Sequence, residues 1–513
     1  MVKFFKRSRL PVAWLGCLLV PLPLLAQTPT MPVPRSGMVP LSAEQLVQWI
    51  AVSNLSAVSA RLQTNSSQQL MQAEQALYDP IFRAKARVDD NKRPRSTDEY
   101  VVLDQLSGKQ TENLENSRSV ENGFTFKMPT GAQLEVSHLM RYRESNLLLD
   151  ASKMENRGIL TLNFKQPLLR GAGRAVTEID LQLQELDYAF ERHRLVNELT
   201  SAATEGLTAY WQLHRALRGL SVRKISVDTL QKLGQMVARR VEGGFAPRTE
   251  LLDADIALTS RQTELVRAER ASLESQSRLR SMLSLAPFDH AEVSFEPQIQ
   301  IQLEAPEDTH LEQRLQRPVE TWPSYQMALM RQRQEQLRLN FARNQVNPDL
   351  SLEVGYNRNS LAQAGQTAFR QSFLNIYPGW SVQLGLEVPI GNDRARSRAS
   401  SQALKAERAD MELQAASNSI RNDVMTRWQQ LQLTQREAQQ LRKDVATREK
   451  LLEADRAQYE LGRARFRQVL EREEDLNEAR LRLLDGEIRV ELARMSLSQA
   501  DATLLDRYGV MAR

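Results

Sequence analysis

Two segments of the chain change their hydrophobic pattern in the same way, from a period of two to a helical period. In the first segment Leu160, Leu162 and Phe164 alternate with polar residues as far as Pro167, which is typical of a strand with one apolar and one polar face. After Pro167 there is no proline before Pro247, and apolar residues recur at helical spacing. The pattern predicts a short strand that leads directly into a very long helix.

The same change occurs again in the C-terminal half of the chain. Val382, Leu384 and Leu386 alternate with polar or small residues before Pro389, and no proline follows Pro389. A proline lacks a backbone donor and disfavours helical geometry in the residue before it. Pro167 and Pro389 therefore mark two predicted strand-to-helix junctions.

An internal repeat connects the two halves of the chain. Residues 239–258 align without gaps to residues 457–476, which places Gly244 on Gly462. Each half is predicted to contain a helix, a strand, a loop, a second strand and two long helices joined by a turn. A repeat of this kind sets the architecture before single elements are assigned. The sequence predicts two copies of one structural unit.

The predicted long helices carry a heptad pattern. A helix from about residue 174 to residue 240 would extend roughly 100 Å at 1.5 Å per residue, so it must project from the body of the molecule. In the second copy, large residues at one heptad position and small residues at another allow two antiparallel helices to pack closely. The tips of these hairpins are expected near Gly244 and Gly462. The first heptad position is held by Val424, Leu431, Ala438, Val445, Leu452 and Tyr459, all large except Ala438. The small residues are Ala479, Gly486, Ala493 and Ala500.

Four segments are predicted to be strands of membrane-spanning length, each with one apolar and one polar row. Such alternation also occurs in soluble sheets that pack one face on a core. Lys165, Glu353 and Glu387 lie in the polar rows. The long helices are predicted to pack against each other, which leaves little helix surface to cover a sheet. We therefore favour a sheet whose apolar face contacts lipid and whose polar face lines an aqueous lumen. The four segments are 81–89, 158–167, 349–357 and 381–388.

Four strands are too few to close a barrel, because about eight are needed to enclose even a filled interior. An open sheet edge in lipid would leave backbone polar groups without partners. Several chains must therefore share one barrel, and three chains with about four strands each would give twelve strands. A further predicted hairpin at 123–143 lies at the outer rim or lengthens the barrel strands, and the sequence leaves this open.

The N-terminus has the features of a secretory signal with cleavage near Ala26. Removing its four basic residues lowers the formal net charge from +5 to +1, so a nucleic-acid partner loses its main support. The only cysteine, Cys17, lies inside this segment. The alternative, a lipoprotein site with Cys17 as the lipidated first residue, is disfavoured by Trp14 and by the long apolar run after the cysteine.

Residue types that carry chemistry are sparse and scattered. No metal-ligand spacing, phosphate-binding loop or nucleophile elbow is found. The sequence therefore predicts no enzyme, no cofactor and no metal site. The five histidines are His138, His193, His214, His290 and His310.

The signal, the duplicated strand-to-helix plan and four motifs together resemble the TolC family of outer membrane efflux proteins. The resemblance extends from about residue 41 to residue 505. The motifs are QPLLRGAG at 166–173, FAPRTELLDA at 245–254, VPIGNDRAR at 388–396 and YELGRARF at 459–466.

The resemblance implies an α+β membrane protein that forms a homotrimer. A twelve-stranded β-barrel, with about four strands from each subunit, would be continued by a long antiparallel α-helical coiled-coil tunnel. The implied function is a passive exit duct of a tripartite efflux or type I secretion system in the outer membrane of a Gram-negative bacterium. Its partners would be a periplasmic adaptor protein, an inner-membrane transporter or ABC ATPase, and outer-membrane lipid. The alternative is a soluble periplasmic coiled-coil scaffold without a pore.

This interpretation predicts a signal, a linker and two similar repeats separated by a connector. The predicted boundaries are 1–26 for the signal, 27–41 for the linker, 42–290 for the first repeat, 291–310 for the connector and 311–513 for the second repeat.

The resemblance also implies a periplasmic gate near the hairpin tips. Tyr459 matches the family's linking tyrosine, and Glu250 stands where its acidic partner is expected. The two acidic ring positions fall on Gln468 and Glu471, so one of the two rings would be neutral. A ring of carboxylates favours cations. The expected linking arginine falls on Ala464.

The hairpin tips are the surfaces that the resemblance assigns to adaptor docking. They combine glycines, which allow tight turns, with basic residues on either side of Ala464. The residues concerned are Gly243, Gly244, Gly462, Arg463 and Arg465.

Overall fold

A computed structural model of the chain describes residues 36–94, 112–146, 154–285, 292–299, 312, 319–374 and 376–510. The predicted signal, including Cys17, lies outside these residues. Most of the predicted linker and connector also lies outside them. The described residues contain four long helices, several shorter helices and two sheets.

The helices follow the predicted duplicated order. Among those that the structure describes, none is both long enough and apolar enough to span a membrane. They are α1 (Ala43–Ser53), α2 (Leu55–Gln75), α3 (Arg174–Thr177), α4 (Ile179–Glu242), α5 (Arg248–Met282), α6 (Pro323–Asn344), α7 (Gly365–Ser372), α8 (Asp393–Glu460), α9 (Phe466–Ala500) and α10 (Leu504–Arg507).

Helices α4 and α5 form one antiparallel hairpin, and α8 and α9 form the other. Helix α8 has 68 residues, or about 100 Å at 1.5 Å per residue, as the sequence predicts. Its heptad positions Leu431 and Ala438 are fully buried. A Cβ on Gly486 of α9 would stand 3.7 Å from the Ala438 Cα atom, so the small residue allows the two backbones to approach closely.

Two of the shorter helices, α2 and α6, each begin in contact with the end of a long helix. The Asn54 side-chain amide, which caps α2, donates to the carbonyl of Met282 at the end of α5 at 3.2 Å. In the second repeat the Trp322 indole, at the start of α6, donates to the carbonyl of Ala500 at 2.5 Å. The same end-to-end junction thus occurs twice, and in each repeat it leads the chain back to the sheet.

The main sheet has six antiparallel strands in the order β2-β3-β4-β5-β7-β8. This corrects the prediction of about four strands per chain, because both strands of the hairpin at 123–143 belong to the sheet. The sequence signal is weak there because β3 begins with a mostly polar run, ENLENSRSVEN. The strands are β2 (Ile81–Pro94), β3 (Glu112–Lys127), β4 (Gln133–Ser145), β5 (Met154–Pro167), β7 (Asp349–Ala362) and β8 (Tyr377–Glu387).

One face of this sheet is apolar and largely uncovered. Trp380 is 79% exposed, Leu384 is 65% exposed and Leu162 is 41% exposed. The register places apolar residues from all six strands on this face, including Phe82, Val88, Val120, Phe124, Leu134, Val136, Leu160, Leu162, Phe164, Leu352, Val354, Trp380, Val382 and Leu384.

The opposite face is polar and carries cross-strand ion pairs. The Lys165 ammonium lies 2.5 Å from the Glu353 carboxylate on the neighbouring strand. Arg143 on β4 bridges Glu115 on β3, at 3.0 Å, and Glu155 on β5, at 3.3 Å. Oppositely charged cross-strand neighbours stabilise a sheet by about 0.2–1 kcal/mol per pair. The predicted separation of the strands into an apolar row and a polar row is therefore present in all six strands at the end of the sheet nearer the helices.

The short helix α7 covers the outer end of the apolar face. Gly158 on β5 allows this approach, since a Cβ there would lie 3.0 Å from the carbonyl oxygen of Ala368 in α7. Ser360 on β7 donates to the same carbonyl at 2.6 Å. The polar residues at this end of the face are thus covered by a helix rather than exposed.

A second, two-stranded sheet lies beside the helices. Strand β1 (Ser36–Leu41) pairs in parallel with β6 (Glu292–Pro297), so the predicted linker and connector each contribute a strand. Each strand has only six residues and its partner lies far away in sequence, so no local pattern predicts the pair. Tyr210 of α4 is fully buried against it, with its hydroxyl 3.0 Å from the Leu41 carbonyl oxygen and 3.2 Å from that of Gln298.

We expect Tyr210→Phe to lower the free energy of unfolding by about 1 kcal/mol, because it removes the hydroxyl bonds to the Leu41 and Gln298 carbonyl groups, of which, among the described residues, only Leu41 keeps a second donor, the Gln298 amide. The measurement is the denaturant midpoint of the purified protein in detergent. Tyr325→Phe, which removes a hydroxyl from a half-buried ring on α6, is the control and should shift the midpoint less. Equal shifts in the two variants would contradict the role assigned to the Tyr210 hydroxyl.

Candidate functional site

The tips of the two long hairpins have the same backbone geometry. Gly244 has φ of 76° and Gly462 has φ of 74°, a conformation that glycine adopts without strain. The amide of Phe245 donates to the Arg240 carbonyl at 2.8 Å, and the amide of Arg463 donates to the Gln458 carbonyl at 2.9 Å. Both α4 and α8 therefore end in a glycine C-cap, and the sequence repeat is also a repeat of turn structure.

The outer surface of the tips is exposed. Gly243, Gly244, Gly462, Arg463 and Arg465 are all exposed. Each tip also presents one large apolar side chain, which was not singled out in the sequence. These are Phe245, 79% exposed, and Leu461, 69% exposed.

The structure brings the predicted pair Tyr459 and Glu250 together. The Tyr459 hydroxyl on α8 donates to the Glu250 carboxylate on α5 at 3.2 Å. The tyrosine ring is only 3% exposed and lies 5.8 Å from the ring of Phe466. Burial, followed by the adjacent Glu250 charge and hydrogen bond, raises the pKa of Tyr459 to about 12. The hydroxyl therefore keeps its proton at neutral pH and remains a donor to the carboxylate.

Arg240 completes this contact, and sequence reasoning missed it. Its guanidinium lies over the Tyr459 ring at 4.8 Å from the centroid and donates to the Tyr459 carbonyl at 3.0 Å. The resemblance places the linking arginine at Ala464, which instead packs against the apolar cluster between the hairpins. Arg240 aligns with Gln458 in the repeat, so no local signal marks it, and only the packing of the two hairpins against each other brings it to Tyr459.

The two predicted ring positions lie on α9 beyond the turn. Gln468 is half-buried and Glu471 is exposed. Arg467 lies 3.4 Å from the Glu471 carboxylate, and both side chains are mostly exposed. Exposed pairs of this kind contribute about 0–1 kcal/mol, so the Glu471 carboxylate remains accessible to solvent. Pro167, at the end of β5, and Pro389, just after β8, lie at the strand-to-helix junctions.

A buried polar network links the helices above the tips. Glu473, 4% exposed, accepts from Arg456 at 2.8 Å. The Asn477 side-chain amide donates to the Ser226 hydroxyl of α4 at 2.9 Å, which joins the two hairpins. Sequence reasoning did not identify this network, because charged residues on a long helix are usually solvated. Within the described ranges, no group of side chains is arranged to hold a metal ion.

Comparison with models of known protein families identifies the family to which the chain belongs. The sequence model of the outer membrane efflux protein family matches residues 135–284 and 319–503, one segment in each repeat. The chain therefore belongs to the outer membrane efflux protein family. Members of this family are channels of efflux systems rather than enzymes. A comparison with curated protein sequences found no match.

Solved outer-membrane channels share the fold. The channel OprN matches with a TM-score of 0.63 and 14% identity over 90% of both chains. VceC of Vibrio cholerae matches with a TM-score of 0.62 and 14% identity, over 90% of this chain and 95% of its own. MtrE of Neisseria gonorrhoeae, solved in an open state, has a TM-score of 0.60 and 14% identity, over 90% of this chain and 89% of its own.

Tyr459→Phe is expected to increase single-channel conductance in planar bilayers. It removes a hydrogen bond to a charged group, worth about 1.5–3 kcal/mol, and so raises the population of rearranged tips about tenfold or more. Tyr325→Phe, on α6 and away from the tips, is the control. If Tyr459→Phe leaves conductance and open time unchanged while the protein remains assembled, Tyr459 does not restrain the tips.

Glu471→Gln is expected to reduce cation selectivity and block by divalent cations, because it removes a carboxylate from the predicted constriction. The measurement is the reversal potential in a salt gradient across a planar bilayer. Glu478→Gln is a matched control, since Glu478 is also exposed and also pairs with an arginine four residues later, at 3.0 Å. The same reversal potential in wild type and Glu471→Gln would remove Glu471 from the constriction.

Proposed function

We propose that the chain forms a homotrimeric exit duct in the outer membrane of a Gram-negative bacterium. In this proposal the sheets of three chains close one β-barrel in the outer membrane, and the long helical hairpins continue it through the periplasm. Substrate passes passively from a periplasmic adaptor and an inner-membrane transporter or ABC ATPase to the exterior. The family assignment supports this role.

The uncovered apolar face of the sheet is the observation that carries the proposal. Large apolar side chains such as Trp380, Val382 and Leu384 are more than half exposed in the chain. Removing a side chain of this size from water contributes about 1.5–3 kcal/mol, so a whole face of such residues favours a lipid environment. The opposite face, with Lys165 and Glu353 paired across strands, suits an aqueous lumen.

The two free edges of the sheet support assembly from several chains. Within the described part of the chain, strands β2 and β8 each have a neighbour on one side only, and an unpaired edge in lipid is very costly. The strands alternate in direction, so β8 of one chain can pair antiparallel with β2 of the next. A ring of copies then leaves no free edge.

The hairpin tips suit contact with a periplasmic partner. They lie at the far end of helices about 100 Å long, and they expose Phe245 and Leu461 beside Arg463 and Arg465. Aromatic and arginine side chains are enriched in protein interfaces. The Glu250, Tyr459 and Arg240 contact, together with Gln468 and Glu471, lies close behind this surface and is proposed to form the gate.

A soluble periplasmic scaffold is the rival function, and the exposed apolar face argues against it. Soluble proteins rarely expose contiguous apolar patches of this extent. A scaffold would be released in buffer, whereas a channel would need detergent for extraction and would change its migration in gels on heating.

Spin labels on the two faces of the sheet test the proposed function. In outer membranes, labels at Leu162 and Leu384 are expected to be relaxed by oxygen, which concentrates in lipid. Labels at the neighbouring positions Asn163 and Gln383, on the polar face, are expected to be relaxed by a water-soluble nickel complex. Labels at Leu162 and Leu384 that are shielded from both reagents, or relaxed only by nickel, would overturn the membrane assignment.

A further inference from the structure

The hairpin formed by β3 and β4 is inserted in the middle of the sheet. Strand β2 pairs with β3 along its whole length, from Ile81 opposite Thr125 to Pro94 opposite Glu112. Strand β4 pairs with β5, so β2 and β5 do not touch. Without the hairpin, β2 and β5 would be neighbours and the chain would contribute four strands.

Both inserted strands are long enough to cross a membrane. β3 has 16 residues and β4 has 13, whereas a tilted strand needs about 9–11 to span the hydrocarbon region. Their apolar side chains, such as Phe124 and Val136, lie on the same face as Leu162 of β5. The hairpin therefore continues the apolar face at the end of the sheet nearer the helices.

The turn of the hairpin is fixed at the strand-to-helix junction. The Thr130 hydroxyl donates to the Gln166 side chain at 2.9 Å, and the Gly173 amide donates to the Thr130 carbonyl at 3.0 Å. Gly131, with φ of 88°, lies so close to Gly171 that a Cβ would come within 2.6 Å of its carbonyl oxygen. The hairpin thus extends down to the level where β5 leads into the helices.

Helix α7 fixes the hairpin to the other strands near the outer end. His138 on β4 is 9% exposed, and its Nε2 atom lies 2.9 Å from the Ser372 hydroxyl of α7. The His138 ring stacks on Phe373 with centroids 5.1 Å apart. Because α7 also packs on Gly158 of β5 and Ser360 of β7, it holds three adjacent strands together. The hairpin is tied to the sheet at both ends.

We infer that each chain contributes six strands to the barrel wall, so that the β3–β4 hairpin widens the pore in the membrane. This inference rests on the proposed trimer, in which three copies of the six-stranded sheet would close a barrel of 18 strands instead of the twelve expected from the sequence. An even number of strands per chain keeps every contact between chains antiparallel.

The added strands change where the duct can select by size. Barrel diameter grows roughly in proportion to strand number. The barrel with 18 strands is therefore about 1.5 times as wide as one with twelve strands. The same four long helices per chain still build the periplasmic part. The narrowest region therefore lies among the helices and their tips, and the barrel admits any cargo that passes them.

Disulfide formation in native outer membranes tests the order of the strands. In a cysteine-free background, the pairs Ala84→Cys with Asn122→Cys and Val136→Cys with Leu162→Cys are expected to cross-link, because each pair is directly opposed across neighbouring strands. Ala84→Cys with Leu160→Cys lies at the same level but with two strands in between, about 14 Å away, and should not cross-link since a disulfide needs Cα atoms within about 7 Å. A bond between positions 84 and 160 would overturn the inference.

Counting strands by electron cryomicroscopy of the detergent-purified assembly gives an independent test. Six strands per chain support the inference, whatever the number of copies, and four strands per chain overturn it. A particle that contains other than three copies would contradict the proposed trimer, and its count of strands per chain would still support or overturn the inference. The failure of the proposed function and the failure of this inference are therefore distinguishable.

Discussion

The constraint on which the rest of the structure depends is the satisfaction of backbone hydrogen bonds at the edges of a sheet. Among the residues that the structure describes, strands β2 and β8 are each paired with another strand on one side only. Lipid offers no hydrogen-bonding partner to backbone groups, so a sheet that contacts lipid must close on itself. In the proposed assembly one chain has too few strands to form a wide channel alone, and further copies, each with the same two edges, close the barrel.

The organisation of the helices follows from that of the sheet. Strands β3, β5 and β8 run towards the long helices. Strand β3 turns back into β4, whereas Pro167 and Pro389 lie where β5 and β8 give way to helix. A helix of such length is stable only if it buries one side along its whole length. The heptad seam, with Ala438 against Gly486, provides this burial within each hairpin. The buried Asn477 to Ser226 contact then joins one hairpin to the other.

Most of the fold could be predicted from the sequence, but the count of strands and the contacts at the tips could not. The strands with clear alternation were identified, whereas β3 begins with a polar run whose place in the sheet depends on pairing with β2. The pair of Tyr459 and Glu250 was located by resemblance, but Arg240 was missed. Its position in the repeat corresponds to a glutamine, and only the packing of the first hairpin against the second brings its guanidinium over the tyrosine ring.

The sequence by itself determined the periodicities, the duplication and the positions of the junctions, because these depend on neighbours within a few residues or one helical turn. Only the tertiary structure decided which strands are adjacent, that β1 pairs with β6, and which charged residues are buried. These features depend on contacts between residues far apart in the chain, such as Tyr210 with Leu41 and His138 with Ser372. A local pattern sets which face of a strand or helix is apolar, whereas the path of the whole chain sets what that face contacts.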